Sequence, residues 1–495
     1  MATLLIYAST LTTALLAFIL TFILPPRAFF APPSTPLSVS SSWSVLQHLG
    51  GSGPWIPHTT HALTHDLSPP PGCRVDQVHL LSRHAARYPT HPAGIRMLQL
   101  YHRLVALNHT FTGPLSFINT WNFFMPDPAG RLEQLVPVGP YAGTLQAFQT
   151  GTEMRTRYED LVEEATRRGQ TVFWASGSRR VEETARYWAA GMWGLEWEGR
   201  ARLEVVGEEE GRGADTLTPG RTCERYREDD AMGRAMGYRK LEDWMGVYLP
   251  RVRERFKSIA SEVDFTNVEV FTMQEMCGFE ILARGSSPWC QVFTKTEWDE
   301  FEYARDLLHY YRAGEGNDYA VPLGWPFLNA TKDLLVQGPE AGQLFASFVH
   351  DGDIVPFLTA LDLFSQLRKL PTDHVMENRT WRTSDVTPMG GRIILERLAC
   401  PAPQNCWSNE PYYPNHVYCD PVRDEYFVRI NVNDGIVAMR DCRSGPGDSC
   451  PLETFTNHVK MRGRHNDNFR DICGLSEKAP TRISFLKQPV TNDEG

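Results

Sequence analysis

The stretch VDQVHLLSRHAARYP, Val75 to Pro89, decides the fold. Its first half, Val75–Leu81, reads as a strand, and Ser82 leads into a polar loop. That loop is Arg83-His84-Ala85-Ala86-Arg87-Tyr88-Pro89. At ordinary residue usage, R-H-x-x-R-x-P occurs in about one random chain in a thousand of this length. Open α/β sheets place their ligands just past the carboxyl ends of strands, where this loop falls. Two guanidiniums flanking an imidazole can grip the oxygens of a tetrahedral phosphate through charge-assisted bonds. The imidazole is then free to attack phosphorus and hold it covalently. The competing reading is a surface loop with solvated arginines and a hydrogen-bonded histidine, which leaves the spacing unexplained.

Outward from this loop, two further strands end in charged residues. Gln170–Ala175 ends at Ser176-Gly177-Ser178, followed by Arg179 and Arg180. Leu344–Val349 runs straight into His350-Asp351-Gly352-Asp353. The histidine would add a second cationic contact to a phosphate, and the aspartate a carboxylic acid to protonate a departing alkoxide. Helical periodicity marks Met154–Glu164, Arg179–Trp193 and Trp298–Arg312. Strands alternating with helices predict an α/β sheet, and the long helical stretch between them predicts an inserted domain. The expected division is a leader over 1–30, an extended arm over 31–72 and an α/β catalytic domain over 73–200 and 331–480. A mainly helical insertion fills 201–330, and a tail follows at 481–495. Glu425–Gly474 reads as a return to strand-like alternation. Trp188 and Trp193, at helical spacing, are expected in a core, and His91, His102 and His109 near the surface, where His91 could touch substrate.

The chain has 495 residues, 42% hydrophobic and 22% charged, with a formal net charge of −10. This is globular composition with room for a large core. The acidic balance excludes a nucleic-acid binder that relies on clustered Lys and Arg. Residues Leu4–Leu24 carry no charge and would span about 30 Å as a helix, one hydrocarbon core. They read with equal weight as a cleaved signal and as an uncleaved membrane anchor. Either places the protein in the secretory pathway, secreted or at the cell surface. Three N-x-S/T sequons, at Asn108, Asn329 and Asn378, agree with that route. The ten cysteines include no CxxC pair, which suggests disulfides rather than a zinc site.

The loop R-H-x-x-R-x-P with a distant His-Asp resembles the histidine acid phosphatase family, of phosphoglycerate-mutase-like fold. The likeness runs from about Leu49 to Gly474. Leu49–Pro54 (LGGSGP), Gly324–Thr331 (GWPFLNAT) and Val349–Ile354 resemble fungal repressible acid phosphatases. Ser286–Thr294 (SSPWCQVFT) and Ile430–Asp434 (INVND) are similar to stretches of fungal phytases. The resemblance implies a mixed sheet flanked by helices with a smaller helical insertion. It implies that His84 is the nucleophile and that Arg83, Arg87, Arg180 and His350 bind the phosphoryl group. Asp351 would be the proton donor; Arg180 rather than Arg179 fits the family spacing A-S-G-S-x-R. It also implies disulfides Cys73–Cys400, Cys223–Cys473, Cys277–Cys290 and Cys442–Cys450, which leaves Cys406 and Cys419. No cofactor and no metal are expected.

The implied activity is hydrolysis of small phosphate monoesters at acidic pH, since Asp351 must be protonated while cations around it lower its pKa. Two alternatives stay open. A phytase is disfavoured because Thr90–Arg96 holds one permanent cation and Trp174 stands where phytases tend to carry arginine. A catalytically silent surface glycoprotein is disfavoured because every catalytic position is filled. Ala85 replaces the glycine that usually follows the family's histidine.

Overall fold

From Gln77 onward every residue of the first strand, β1 (Arg74–Arg83), is buried. A strand covered on both faces needs a continuous apolar run rather than alternation, and this places β1 at the centre of a sheet. The computed structural model describes residues 43–107, 109–402, 406–407, 418–419 and 423–489. The apolar segment 4–24 and Asn108 lie outside them. Among the described residues no helix is long and apolar enough to cross a membrane.

β1 pairs in parallel with β4 (Leu344–Val349), which pairs in parallel with β2 (Val172–Ser176) and through it β3 (Arg202–Val206). On its other side β1 pairs antiparallel with β5 (Arg392–Pro401). Next come β8 (Asp424–Val432) and β10 (Cys450–Pro451), with β9 (Gly435–Val437) also on β8. Cys406–Trp407 (β6) and Tyr418–Cys419 (β7) form a separate two-stranded ladder. This is the mixed α/β sheet flanked by helices that the sequence predicts. Successive side chains point to opposite faces. Phe173, Trp188, Trp193 and Phe348 therefore pack on one side, and Leu81, Trp174, Phe345 and Phe357 on the other.

The helices that matter for the site are α1 (His91–Ala106), α2 (Gly143–Arg157), α3 (Arg179–Trp193) and α4 (Ala235–Ile259). They continue with α5 (Asn267–Arg284), α6 (Lys295–Ala313), α7 (Ala320–Gln337), α8 (Asp351–Ala360) and α9 (Leu452–Gly463). Several expectations need correction. The helix read over Met154–Glu164 breaks at Tyr158, whose φ/ψ of −120°/38° is not helical. The expected boundary at 200 falls short of the sheet, because β3 extends the parallel edge; that at 330 cuts through α7. Leu452–Gly463, read as strand-like, is a helix. The arm does not hang free over its described part. From Val45 on it belongs to the same compact unit as the sheet, with Leu49, Ser52 and His58 buried.

Disulfides join Cys73–Cys400, Cys223–Cys473, Cys277–Cys290 and Cys442–Cys450. Cys419 is also disulfide-bonded, and the β6–β7 register sets it opposite Cys406. The side chain of Cys406 lies outside the described ones. Asn378 is exposed, whereas Asn329 is half-buried within α7.

Helix α6 opens with a capping box between Thr294 and Glu297 and is pinned near its middle by a buried charge. Asp306 is fully buried; its Oδ2 accepts a 2.6 Å bond from Arg379 Nε and its Oδ1 a 2.7 Å bond from the Thr383 amide. Arg379 keeps a second carboxylate, Glu302 at 3.2 Å, so removing Asp306 costs its own charged hydrogen bonds rather than stranding the guanidinium. Asp306→Ala is expected to cost about 1.5–3 kcal/mol of stability. Chemical denaturation checks this; a loss below about 1 kcal/mol would show that the pair does not hold α6.

Candidate active site

The parallel register of β1 and β4 sets Arg83 directly opposite Val349. The next residues along each strand are His84 and His350, whose rings lie edge to face with centroids 5.7 Å apart. Strand β2 ends beside them at Ser176, and the turn through Gly177 and Ser178 starts α3 with Arg179 and Arg180. Three loops far apart in sequence thus meet at the carboxyl edge of the sheet. They line one cleft of about 550 Å³ with Arg83, His84, Arg87, Arg180, His350 and Asp351. Arg179 instead pairs outward with Glu183.

His84 is buried, with 1% of its surface exposed. Its Nδ1 lies 3.0 Å from the Ala85 carbonyl, which can only accept, so Nδ1 carries the proton. Nε2 is therefore left with a lone pair, 3.4 Å from Arg87 Nε. Burial, then the nearby Arg87, Arg83 and Arg180, hold the imidazole well below its ordinary pKa. It stays neutral under acid conditions that would protonate a free histidine.

The arginines are fixed differently. Arg83 gives Nη1 to the carbonyls of Gly51 and Thr387, both at 2.6 Å, and Nη2 to Asp351 Oδ2 at 3.0 Å. Its Nε has no partner although buried, and the same holds for Arg180 Nε. Arg87 gives Nη1 to the Tyr88 carbonyl at 2.8 Å; burial lowers its pKa to about 9. Arg180 donates to Glu133 and to His350 Nδ1, each at 3.3 Å. His350 must then carry its proton on Nε2, which lies 3.0 Å from Glu208 Oε1.

Asp351 begins α8. Its Oδ1 accepts the Gly352 amide at 2.7 Å and its Oδ2 accepts from Arg83. Burial alone would raise its pKa, but Arg83, His309 and Arg312 outweigh it and hold the carboxyl well below the usual range. Two residues on, Asp353 is pushed up to about 8, chiefly by burial, and accepts the His350 amide at 3.0 Å.

All six expected site residues come together. Others were not foreseen: Gly51 and Thr387 hold Arg83, Glu208 orients His350, and Glu133 meets Arg180. Arg305, His309 and Arg312 also line the cleft. These three lie at i, i+4 and i+7 of α6, one face of a helix, and that periodicity was the available signal. Arg96 lines the cleft as well, whereas His91 does not. Trp174 needs correction. It is fully buried, stacked on Phe345, with its Nε1 donating to Glu204, because its place in β2 points it away from the cleft.

The profile of the Histidine phosphatase superfamily (branch 2) matches residues 74–433. The chain belongs to this superfamily. As a histidine phosphatase of this branch it is a phosphoric monoester hydrolase. It is 31% identical to a phytase of Candida albicans over 469 residues, 94% of each chain. It is 30% identical to an acid phosphatase of Komagataella pastoris, over 91% of each. Its fold matches the crystal structure of the phytase from D. castellii with a TM-score of 0.80 at 28% identity. That match covers 92% of this histidine phosphatase and 93% of the other.

The Glu208 bond fixes which His350 nitrogen faces Arg180. Glu208→Leu, which removes the acceptor, should lower kcat/KM for an aryl phosphate about ten- to hundredfold, the worth of one hydrogen bond to a charged group. Steady-state kinetics check this, and a change below twofold would remove Glu208 from the site.

Proposed function

We propose that this chain is an acid phosphatase that hydrolyses phosphate monoesters through a phosphohistidine on His84, with Asp351 as the proton donor. The observation that carries this is the 3.0 Å contact between His84 Nδ1 and the Ala85 carbonyl, which leaves Nε2 unprotonated among guanidiniums. The nucleophile is thus prepared before substrate arrives.

In the first step the Nε2 lone pair forms a bond to phosphorus and the ester P–O bond breaks. Asp351 gives its proton to the departing oxygen. Arg83, Arg87 and Arg180 hold the three remaining oxygens and keep their charge throughout. In the second step Asp351, now a carboxylate, takes a proton from water as its oxygen attacks phosphorus. The P–N bond breaks, inorganic phosphate leaves and His84 returns to its neutral form.

Asp351 is held ionised in the free site by the surrounding cations, yet the first step needs its proton. The bound phosphoryl group resolves this, because its negative charge offsets the arginines and raises the carboxyl's pKa. The sign of the pH dependence follows. Falling pH favours the protonated donor, while His84, held far below 6.5, does not protonate in the same range. A free imidazole would be about 97% protonated at pH 5. The rate of phosphoenzyme formation should therefore not fall between pH 7 and pH 5. Rapid-quench measurements across that range test this, and a decline following a pKa near 6.5 would contradict it.

The wider cleft supports a second reading as an inositol polyphosphate phosphatase. Arg96, Arg221, Arg234, Arg305 and Arg312 extend its cationic wall beyond the three phosphate-binding arginines. Trp174 no longer argues against it. We retain the broader acid phosphatase, which both readings share. The disulfides, with the apolar segment 4–24, support passage through an oxidising secretory compartment and release or display outside the cell.

Two variants test the assignment. His84→Ala should abolish turnover of every phosphate ester. Asp351→Asn should lower kcat about 100-fold or more for an alkyl phosphate and far less for a 4-nitrophenyl ester, whose leaving group needs no proton. Equal losses on both esters would contradict the donor role, and near-unaltered activity of His84→Ala would contradict the nucleophile.

A further inference from the structure

Asn433 stands at the tip of the β8–β9 hairpin, in the INVND stretch that the chemistry above does not use. It and Asp434 are the two residues between the paired Val432 and Gly435, and both have positive φ, 47° and 59°. Asparagine suits such a turn for backbone reasons alone. Turns run over the surface, yet Asn433 is 0% exposed. Its amide is saturated. Oδ1 accepts the Arg392 amide at 2.8 Å and the Trp55 indole Nε1 at 3.3 Å. Nδ2 donates to the carbonyls of Asp385 at 2.6 Å and Val386 at 3.1 Å. Two donors on one side and two acceptors on the other permit a single orientation of the amide.

Asp385–Val386 and Arg392 are the two ends of one loop, and the middle of that loop grips the arginine and histidine of the proposed chemistry. The Thr387 carbonyl accepts from Arg83 Nη1 at 2.6 Å. The Gly391 carbonyl accepts the Arg83 amide at 2.8 Å, and the Gly390 amide donates to the His84 carbonyl at 3.0 Å. One buried side chain therefore closes, at both ends, the loop that holds Arg83 and His84. Arg83 is 2% exposed and meets one carboxylate, Asp351, through Nη2. The carbonyls on Nη1 thus decide how the guanidinium is aimed. Asn433 itself does not line the cleft.

We propose that Asn433 is a positioning residue for phosphoryl transfer: by closing the loop 385–392 it aims the Arg83 guanidinium at the phosphoryl group. It touches no substrate and acts through Arg83. This rests on the phosphatase reading, with Arg83 as one of the three arginines that hold the transferred group.

Asn433→Asp and Asn433→Gly test it, since both residues accept a positive φ and suit the hairpin turn. The first sets a second oxygen against the Asp385 and Val386 carbonyls, and the second removes the amide. Each should lower kcat/KM for 4-nitrophenyl phosphate about ten- to hundredfold, the cost of misplacing a binding group by about 1 Å. Each should also raise the inhibition constant of inorganic phosphate, which reads the guanidinium's grip without any chemistry. In an Arg83→Lys background the same changes should cost about twofold or less, because the group through which Asn433 acts is already gone. A merely structural residue would cost as much in both backgrounds. Turnover of the ester by the unaltered enzyme tests the phosphatase reading by itself, so the comparison of backgrounds reports on Asn433 alone. Equal losses in the two backgrounds, or activity within about twofold of the unaltered enzyme, overturn the assignment. Loss of the cooperative thermal transition in both variants also overturns it, since Asn433 would then serve folding alone.

Discussion

The parallel pairing of β1 with β4 is the constraint on which the site depends. With Arg83 held opposite Val349, the chain leaves both strands at the same level, and His84 emerges beside His350 and Asp351. A slip by one residue would turn alternate side chains to the other face of the sheet and separate nucleophile from acid. Burial on both faces of β1 and β4 makes such a slip costly, since it would move Phe345, Phe348 and Leu81 out of their cores. The hydrophobic packing of the sheet thus does the positioning that the chemistry needs.

Around that frame the electrostatics follow from where charges are anchored. Arg83 is tied by two backbone carbonyls as well as by Asp351, so its guanidinium cannot swing away when the carboxyl takes a proton. Glu208, through His350, sets which lone pair faces Arg180. Burial of His84 and its bond to the Ala85 carbonyl keep a neutral nucleophile in a strongly cationic pocket. The cations that lower the pKa of Asp351 are the same ones that bind phosphate. Substrate binding is for that reason also the event that prepares the acid.

Much of this was legible in the sequence because it sits in short contiguous motifs. The loop from Arg83 to Pro89, the His350-Asp351 pair and Arg180 each follow directly on a strand, and local pattern reports both the strand and what ends it. The four resolved disulfides matched the pairings that family resemblance implied. What the sequence concealed depends on distant packing. Gly51 and Thr387 reach Arg83 through carbonyls, which carry no side-chain signature. Glu208 lies in a segment whose charges look solvated until the fold brings it to His350. The net charge of −10 gave no hint that the cleft wall is rich in arginine, because composition averages over surface and pocket. Trp174 illustrates the converse error: the likeness to phytases, which tend to carry arginine there, counted it toward the charge facing substrate, whereas the alternation of β2 turns it into the core.

The central claim is that Nε2 of His84 is the atom that takes the phosphoryl group. The most direct test is to mix enzyme with a phosphorus-labelled ester, quench within milliseconds into alkaline denaturant, and identify the labelled residue and nitrogen by mass spectrometry and phosphorus NMR. The account predicts label on His84 alone, on Nε2, and none on the Asp351→Asn or wild-type chain outside that residue. Label on Nδ1, on another side chain, or no covalent label during turnover would contradict it.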